Sequence, residues 1–182
     1  MFSINIIKEA WELAAAMHHG QIYFGDGEVP DTGYLNHIGS VTFEVMAAVN
    51  KNAGLDAELA VLCAILHDSL EDTGLRYEQI ENKFGTAVAA GVLALTKKKE
   101  IPVKKERMLD SLNRIKKGPK EIWAVKLADR ICNLRKPPQK WSPAKKRAYL
   151  EEAKLILEEL GAADDYLKER LKQKILAYKN YI

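Results

Sequence analysis

Cysteines, long apolar runs and strand-like patterns are scarce in this chain of 182 residues, and each absence excludes a class of protein. The two cysteines, Cys63 and Cys132, lack the C-x-x-C spacing of a zinc or redox motif, and their low number excludes a disulfide-rich secreted scaffold. No apolar run reaches the roughly 18 residues that a membrane-spanning helix needs, and residues 1–10 show no signal-peptide pattern. We therefore expect reduced cysteines, a cytoplasmic location and no membrane partner.

An excess of charge of one sign is also missing. The chain has 28 basic and 25 acidic residues, a formal net charge of +3, and its basic residues are spread rather than gathered in one stripe. This distribution does not predict a nucleic-acid partner. Apolar residues make up 47% and charged residues 29%, as in an ordinary soluble globular protein, and the length fits one domain over residues 1–182.

Helical periodicity, in contrast, is present along most of the chain, with no convincing strand, internal repeat or low-complexity tail. The predicted helices are Ile4–Met17, Ile38–Lys51, one within residues 59–73, Tyr77–Phe84, Thr86–Leu95, Val103–Lys117, Lys120–Leu134, Pro143–Leu160 and Asp164–Tyr181. Residues 21–33 contain several glycines and are interpreted as a loop. The pattern predicts an all-α fold, a bundle of about eight to ten helices. Exposed apolar positions on the terminal helices leave a homodimer open.

The most informative stretch is residues 59–73, LAVLCAILHDSLEDT. Eight apolar residues come first, and an apolar run without a polar face predicts a helix buried on all sides. Four polar side chains follow within six positions: His67, Asp68, Glu71 and Asp72. Carboxylates buried without partners cost several kcal/mol each, and a divalent metal offsets that cost. The alternative is the C-terminal end of a helix followed by a solvated acidic turn.

Two further segments offer ligands of the same kind. His37 stands at the start of a predicted helix, where a side chain often faces a site, although a lone histidine is more often a structural donor. Asp129 lies in the middle of a mostly apolar helix, so its carboxylate must be paired. One interpretation is a structural salt bridge of Asp129 with Lys126 or Arg130. The other is that Asp129 binds a metal ion.

Together, these segments supply two imidazoles and two carboxylates, from His37, His67, Asp68 and Asp129. Such a mixed nitrogen and oxygen set suits a borderline divalent ion such as Mn, Fe, Co, Ni or Zn. Water bound to such an ion has a lowered pKa and becomes a nucleophile at neutral pH. Glu71 and Asp72 lie one turn beyond the His67–Asp68 pair, where they can orient that water or take its proton.

The pattern H…HD…D resembles the HD-domain metal-dependent phosphohydrolases. Four segments, YLNHI, AILHDSLEDT, KFG and VKLADRICNLR, are similar to the hydrolase domain of the RelA/SpoT enzymes, particularly the stand-alone small alarmone hydrolases of the metazoan SpoT homolog type. The resemblance covers residues 14–160. It implies an all-α HD-domain bundle with a manganese ion held by His37, His67, Asp68 and Asp129. It also implies that Glu71 and Asp72 act on the hydrolytic water. The implied reaction removes pyrophosphate from the 3′ position of ppGpp or pppGpp and yields GDP or GTP.

The same resemblance implies substrate contacts. Asn133 matches a nucleotide-contacting asparagine, WSPAKKRAY supplies Lys145 and Tyr149, and Lys104 lies beside the position of a family lysine. The chain departs from the family after Gln21, where Ile22-Tyr23-Phe24 replaces two basic residues, and Ile38 replaces a proline. Tyr23 or Phe24 would then stack on a base.

Two alternatives stay open, and the departure after Gln21 favours the first. One is an HD phosphohydrolase for another nucleotide, such as NADPH, a 5′-nucleotide or an adenine alarmone. The other is a nucleotide-binding regulator without turnover. The leading prediction is hydrolysis of (p)ppGpp, the alarmone of the stringent response, with the nucleotide as the partner.

Overall fold

The computed structural model describes residues 3–25 and 30–182, so the part of the predicted loop at residues 26–29 lies outside the described residues. Within the described ranges, the chain forms ten α-helices, one short antiparallel ladder and a terminal 3-10 turn at Lys179–Tyr181. In chain order the elements are α1 Ile4–Met17, β1 Ile22–Tyr23, β2 Thr32–Gly33, α2 Leu35–Lys51, α3 Ala57–Leu66, α4 Ser69–Asp72, α5 Tyr77–Phe84, α6 Thr86–Leu95, α7 Lys104–Lys117, α8 Lys120–Asn133, α9 Pro143–Leu160 and α10 Asp165–Tyr178. The predicted all-α fold is confirmed.

Side-chain caps explain where several helices begin. The Asp56 carboxylate accepts hydrogen bonds from the first-turn amides of α3, and the Ser142 hydroxyl accepts one from the amide of Lys145 in α9. Asp164 caps α10 in the same way. These caps satisfy amide groups that have no partner inside the helix. The predicted bounds of α1, α5 and α6 are confirmed, and those of α7 and α8 differ by one residue.

Two predicted boundaries near the site are wrong. Helix α2 begins at Leu35 rather than at Ile38, so His37 lies inside its first turn. In the predicted loop, Ile22 pairs with Gly33 and Tyr23 with Thr32. A ladder of two residues per strand is too short to produce a visible alternation in the sequence.

The helix that carries the central motif also stops earlier than its composition suggests. Helix α3 ends at Leu66, and after His67 and Asp68 the short helix α4 begins at Ser69. The amide of Asp72 still donates to the carbonyl oxygen of Asp68 at 2.9 Å. The alternative of a helix end is therefore correct for α3, but Glu71 and Asp72 lie in the short helix α4 rather than in a turn.

Helix α3 forms the centre of the core. Its residues from Ala60 to Leu66 are all buried, and it packs against α1, α2, α6 and α8. Helix α6 approaches closely at Gly91, where an added Cβ would lie 2.5 Å from Ile122 Cδ1 and 2.8 Å from Cys63 Sγ. This packing brings together the end of α3, the start of α2 and the C-terminal half of α8. No helix in the described ranges is long and apolar enough to cross a membrane.

Candidate metal centre and active site

The predicted ligands converge where these three helices meet. His37, His67 and Asp129 offer ligand atoms that all lie within 4.8 Å of one another. Asp68 joins them, because its Oδ2 lies 3.0 Å from His67 Nε2 and 3.6 Å from His37 Nε2. His37 Nε2 also lies 3.5 Å from Asp129 Oδ1. Helices α2 and α8 and the segment between α3 and α4 each supply part of this cluster.

The histidine nitrogens at the centre lack hydrogen-bond partners among the described residues. His67 Nδ1 lies 2.8 Å from the carbonyl oxygen of Ala64, to which it can donate, and this tautomer leaves a lone pair on Nε2. The Nε2 atoms of His37 and His67 are buried and form no hydrogen bond, although carboxylate oxygens lie nearby. Buried polar atoms are rarely left unpaired, so their convergence fits a bound cation.

The charges of the cluster point the same way. Burial opposes a charge on His37, but the carboxylates of Asp129 and Asp68 outweigh it and raise the pKa of His37 to about 9. Burial similarly opposes ionisation of Asp68, but the neighbouring imidazoles hold its pKa well below the usual range. The pKa of Asp129 is also lowered against burial, mainly by Lys126. The buried, ionised carboxylates of Asp68 and Asp129 stabilise a positive charge beside them, either a proton on a histidine or a metal ion.

Neighbouring side chains orient both carboxylates. The Tyr34 hydroxyl donates to Asp68 Oδ2 at 2.6 Å. Lys126 Nζ donates to Asp129 Oδ2 at 2.9 Å, and Asn133 Nδ2 donates to Asp129 Oδ1 at 2.5 Å. The salt bridge between Asp129 and Lys126, which was one of the two interpretations of Asp129 from the sequence, is therefore present. Such outer contacts hold ligating groups in position.

Glu71 and Asp72 stand at the mouth of the cluster in different environments. The Glu71 carboxylate accepts from the backbone amide of Lys97 at 2.9 Å and from Lys97 Nζ at 3.3 Å. Asp72 is exposed, and partial burial together with the charges of Asp68 and Glu71 raises its pKa. A raised pKa makes a carboxylate a stronger base, which suits it to accept a proton.

A cleft of about 210 Å³ connects these groups. Among the predicted substrate-binding residues, Lys104, Asn133 and Tyr149 line it. Its other lining residues are Tyr34, Asp68, Glu71, Asp72, Lys97, Met108, Lys126, Asp129, Arg130 and Glu152. The structure therefore brings three of the five predicted substrate-binding residues to the same cleft as the catalytic pair and two of the candidate metal ligands, Asp68 and Asp129.

Tyr23 lies behind the cluster rather than in the cleft. Its ring stacks on the imidazole of His37 with centroids 5.0 Å apart, and the guanidinium of Arg135 lies 3.9 Å from its centroid. Tyr23 lines a separate cavity of about 530 Å³ between α2, α8 and α10. Burial raises the pKa of its hydroxyl to about 12, so the group stays protonated.

Lys145 is also outside the cleft, since its Nζ lies 4.3 Å from the centroid of the Trp141 ring. Trp141 belongs to an aromatic cavity of about 130 Å³, which we define by Phe24, Trp141, Tyr149 and Tyr178. The aromatic cavity shares Asn133 and Tyr149 with the cleft, so the two spaces adjoin.

Several residues of the site were missed or misread in the sequence. The run TKKKE at residues 96–100 has the composition of a solvated connection, but Lys97 lines the cleft and binds Glu71. His18 stands beside His19 at a helix end, a pattern typical of surface residues, but it is buried and stacks on Tyr34 with centroids 5.0 Å apart. Tyr34 stands in the YLNHI motif and was in principle detectable. Glu152, on a distant helix, gives no sequence signal.

The sequence profile described as HD domain matches residues 10–165. Guanosine-3′,5′-bis(diphosphate) 3′-pyrophosphohydrolase from Danio rerio is 30% identical over 180 residues, covering 96% of this chain and 94% of that protein. The protein of the same name from Mus musculus is 31% identical over 171 residues, covering 92% and 91%.

Two solved structures share the fold. One is a metazoan ortholog of SpoT that hydrolyzes ppGpp and plays a role in starvation responses, with a TM-score of 0.80 and 26% identity over 100% of this chain and 99% of that one. The other, from Listeria monocytogenes, has a TM-score of 0.61 and 21% identity over 76% of this chain and 95% of that one. The second likeness concerns the fold alone.

Proposed function

This chain belongs to the HD domain family, and from that premise we propose that it hydrolyses (p)ppGpp at the 3′ position, releasing pyrophosphate and GDP or GTP. The relatives that act on this nucleotide align with nearly the whole chain. The observation that carries the proposal is the convergence of two unpaired imidazole nitrogens and two ionised carboxylates beside Glu71 and Asp72. An enzyme of this kind needs those groups in one cleft.

The metal is part of the proposal. His37, His67, Asp68 and Asp129 would hold a divalent ion, because their unpaired nitrogens and ionised oxygens fit such a ligand set. Manganese is the ion we propose, with iron, cobalt, nickel and zinc as the alternatives that the same ligands accept. When bound, such an ion lowers the pKa of a water and offsets negative charge on phosphate oxygens.

The protein's own groups then handle the proton and the substrate. In the proposed reaction, water adds to the phosphorus that carries the 3′ oxygen, and the bond between that phosphorus and the 3′ oxygen breaks. Asp72, with its raised pKa, takes the proton of the attacking water, and Glu71 orients that water. The proton that Asp72 took passes to the 3′ oxygen, which leaves as the hydroxyl group of GDP or GTP.

The size of the cleft supports a division of the nucleotide between two adjoining spaces. Its 210 Å³ is below the range of about 300–1,000 Å³ that is usual for pockets that hold a whole small molecule. We assign the cleft, which is lined by charged groups, to the 3′-diphosphate, and the adjoining aromatic cavity, which offers stacking surfaces, to the nucleoside, with Asn133 and Tyr149 between them. Phe24, whose side chain is 68% exposed, offers a stacking surface there, and Lys145 is nearby on Trp141.

The test is release of phosphate and pyrophosphate, with manganese added, from ppGpp, pppGpp, the adenine counterpart, NADPH and deoxynucleotides. We expect pyrophosphate from ppGpp and pppGpp, and none from the His67→Ala variant. Release from another compound with ppGpp untouched would replace this proposal with a different HD phosphohydrolase. Nucleotide binding without turnover at any metal concentration would indicate a regulator.

A further inference from the structure

One buried cation in the cleft has donors that nothing in the described residues uses. The Arg130 side chain is only 5% exposed, and its Nε and Nη1 atoms have no hydrogen-bond partner there. Its guanidinium lies 4.4 Å from the centroid of the Tyr149 ring, and Nη2 is 3.4 Å from Glu152 Oε2. A buried guanidinium with idle N–H groups is suited to bind an anion through several hydrogen bonds.

The carboxylate of Glu152, from α9, lies next to the Arg130 guanidinium. One carboxylate oxygen accepts from Lys104 Nζ at 2.6 Å, and the other faces Arg130 Nη2. The carboxylate thus bridges a cation from α7 and a cation from α8 inside the cleft. A phosphate group presents the same charge sign with more acceptor oxygens, so it can replace the carboxylate and also use the idle donors of Arg130.

The ion pairs of Glu152 with Lys104 and Arg130 can be broken at low cost, so that a phosphate can replace the carboxylate. Lys104 is 68% exposed, and ion pairs of exposed side chains contribute little to stability. Glu152 keeps 18% of its side chain exposed, whereas Arg130 remains buried. Displacement of the carboxylate therefore moves a lysine and a glutamate near the surface and leaves the buried guanidinium in place.

From these contacts we propose that Arg130 and Lys104 form a phosphate subsite, and that Glu152 occupies this subsite when substrate is absent. The proposal rests on the proposed function for its substrate, because the subsite receives one phosphate of the 3′-diphosphate chain. Glu152 thereby acts as a specificity-determining residue. A ligand with a single phosphate at the metal leaves the bridge intact, whereas a diphosphate reaches the subsite and displaces the carboxylate.

The experiment measures binding of inorganic pyrophosphate by titration calorimetry to manganese-loaded protein. Glu152→Gln retains the shape of the side chain but removes the competing charge, and we expect it to bind pyrophosphate about tenfold more tightly than the unmodified protein. Glu151→Gln is the matched control, because Glu151 is 64% exposed, pairs with Lys154 and carries the same charge change. Lys104→Gln combined with Glu152→Gln should remove most of the gain. Equal affinities for Glu152→Gln and Glu151→Gln would overturn the subsite.

A second readout separates this proposal from the proposed function. With ppGpp as substrate, we expect Glu152→Gln to lower KM, because the residue competes with the substrate for the subsite. If ppGpp is not hydrolysed while Glu152→Gln still tightens pyrophosphate binding, the subsite stands and the proposed function fails. If ppGpp is hydrolysed with an unchanged KM in Glu152→Gln, the function stands and the subsite fails.

Discussion

At the scale of single residues, three carboxylates of the cleft are each held by a lysine. Lys97 binds Glu71 at 3.3 Å, Lys126 binds Asp129 at 2.9 Å and Lys104 binds Glu152 at 2.6 Å. The three pairs differ in burial, since Lys126 is 4% exposed and Lys104 is 68% exposed. The buried Lys126–Asp129 pair is therefore suited to hold a metal ligand in a fixed orientation. The exposed Lys104–Glu152 pair is suited to break when another anion binds.

The proposed role of Glu71 gives the first prediction. Glu71→Gln keeps the oxygen that accepts the Lys97 amide but cannot orient water or take a proton as a carboxylate does. We expect kcat to fall roughly a hundredfold or more, the usual range for loss of such a group, while bound metal is unchanged. The measurement is kcat for ppGpp together with metal content.

The matched control for that variant is Glu78→Gln on the exposed side of α5, which should retain normal kcat. Near-normal turnover in Glu71→Gln would remove Glu71 from the catalytic role and leave Asp72 as the only member of the pair that acts on the water.

The proposed metal ligands give the second prediction. His67→Ala removes a buried nitrogen at the centre of the cluster, so bound metal and turnover should both fall to background. Metal content by mass spectrometry and ppGpp turnover are measured on the same preparation. His19→Ala, at an exposed position, serves as the control and should retain both. Full metal occupancy in His67→Ala would contradict the assignment.

The candidate ligands were predictable from the sequence because residue type limits them. Few side chains can ligate a divalent ion, and His67-Asp68 follows an apolar run that had to be buried. Lys97 and Glu152 were not predictable in the same way, because lysine and glutamate are common and their roles depend on partners 26 and 48 positions away.

At the scale of secondary-structure elements, the close approach of α6 to α3 and α8 depends on Gly91. A Cβ there would lie 2.5 Å from Ile122 and 2.8 Å from Cys63, and both neighbours are buried. The third prediction is that Gly91→Ala lowers the free energy of unfolding by about 1–3 kcal/mol, as expected for overpacking in a dense core. Denaturation with urea measures the change.

Gly74→Ala is the control for this variant, because nothing lies within 4 Å of an added Cβ and its φ is not in the left-handed region. Equal stability of the two variants would mean that α6 shifts at no cost and that Gly91 does not define the packing.

Helix ends were predictable only where a cap marks them. Asp56, Ser142 and Asp164 are recognisable by residue type, and α9 begins at Pro143 as predicted, whereas α3 begins at Ala57 and α10 at Asp165. The end of α3 has no such marker, since the apolar run gives no signal for the point at which the helix stops. The start of α2 at Leu35 was missed because Tyr34, at its N-cap position, makes no side-chain cap hydrogen bond.

At the scale of the whole molecule, the candidate metal centre joins elements that are far apart in the sequence. His37 comes from α2, His67 and Asp68 follow α3, and Asp129 comes from α8. An ion that binds only the folded chain adds stability by mass action, about 2.7 kcal/mol at a concentration a hundredfold above Kd. The fourth prediction is therefore that manganese raises Tm by about 2–4 °C for each kcal/mol gained.

A thermal scan with manganese, and again after chelation, checks this prediction. His67→Ala provides the control and should show no response to the metal. An unchanged Tm in the unmodified protein at saturating manganese would contradict a metal centre that links the three elements.

The chain's architecture was predictable to the level of its class, but the mutual packing of its helices was not. Periodicity identifies a helix and its buried face, whereas the choice of neighbour depends on details such as Gly91 against Ile122. The site was predictable where ligand chemistry limits the residues, and it was not where ordinary charged side chains meet across the fold.

The pairing of charges in the cleft has a kinetic consequence. Its five carboxylates and four cations nearly cancel: Asp68, Glu71, Asp72, Asp129 and Glu152 face Lys97, Lys104, Lys126 and Arg130. Charges that are matched in place produce little field beyond the Debye length, so they do little to steer an incoming polyanion. The association rate constant of a nucleotide should then depend only weakly on ionic strength. The cleft should discriminate between ligands mainly through their dissociation rate constants. Each cation of the cleft, as the structure describes it, already has an acidic partner, so the cleft offers no unpaired cation to a bulky nucleic-acid backbone. A slender phosphate chain can enter the cleft and replace one of those acidic partners.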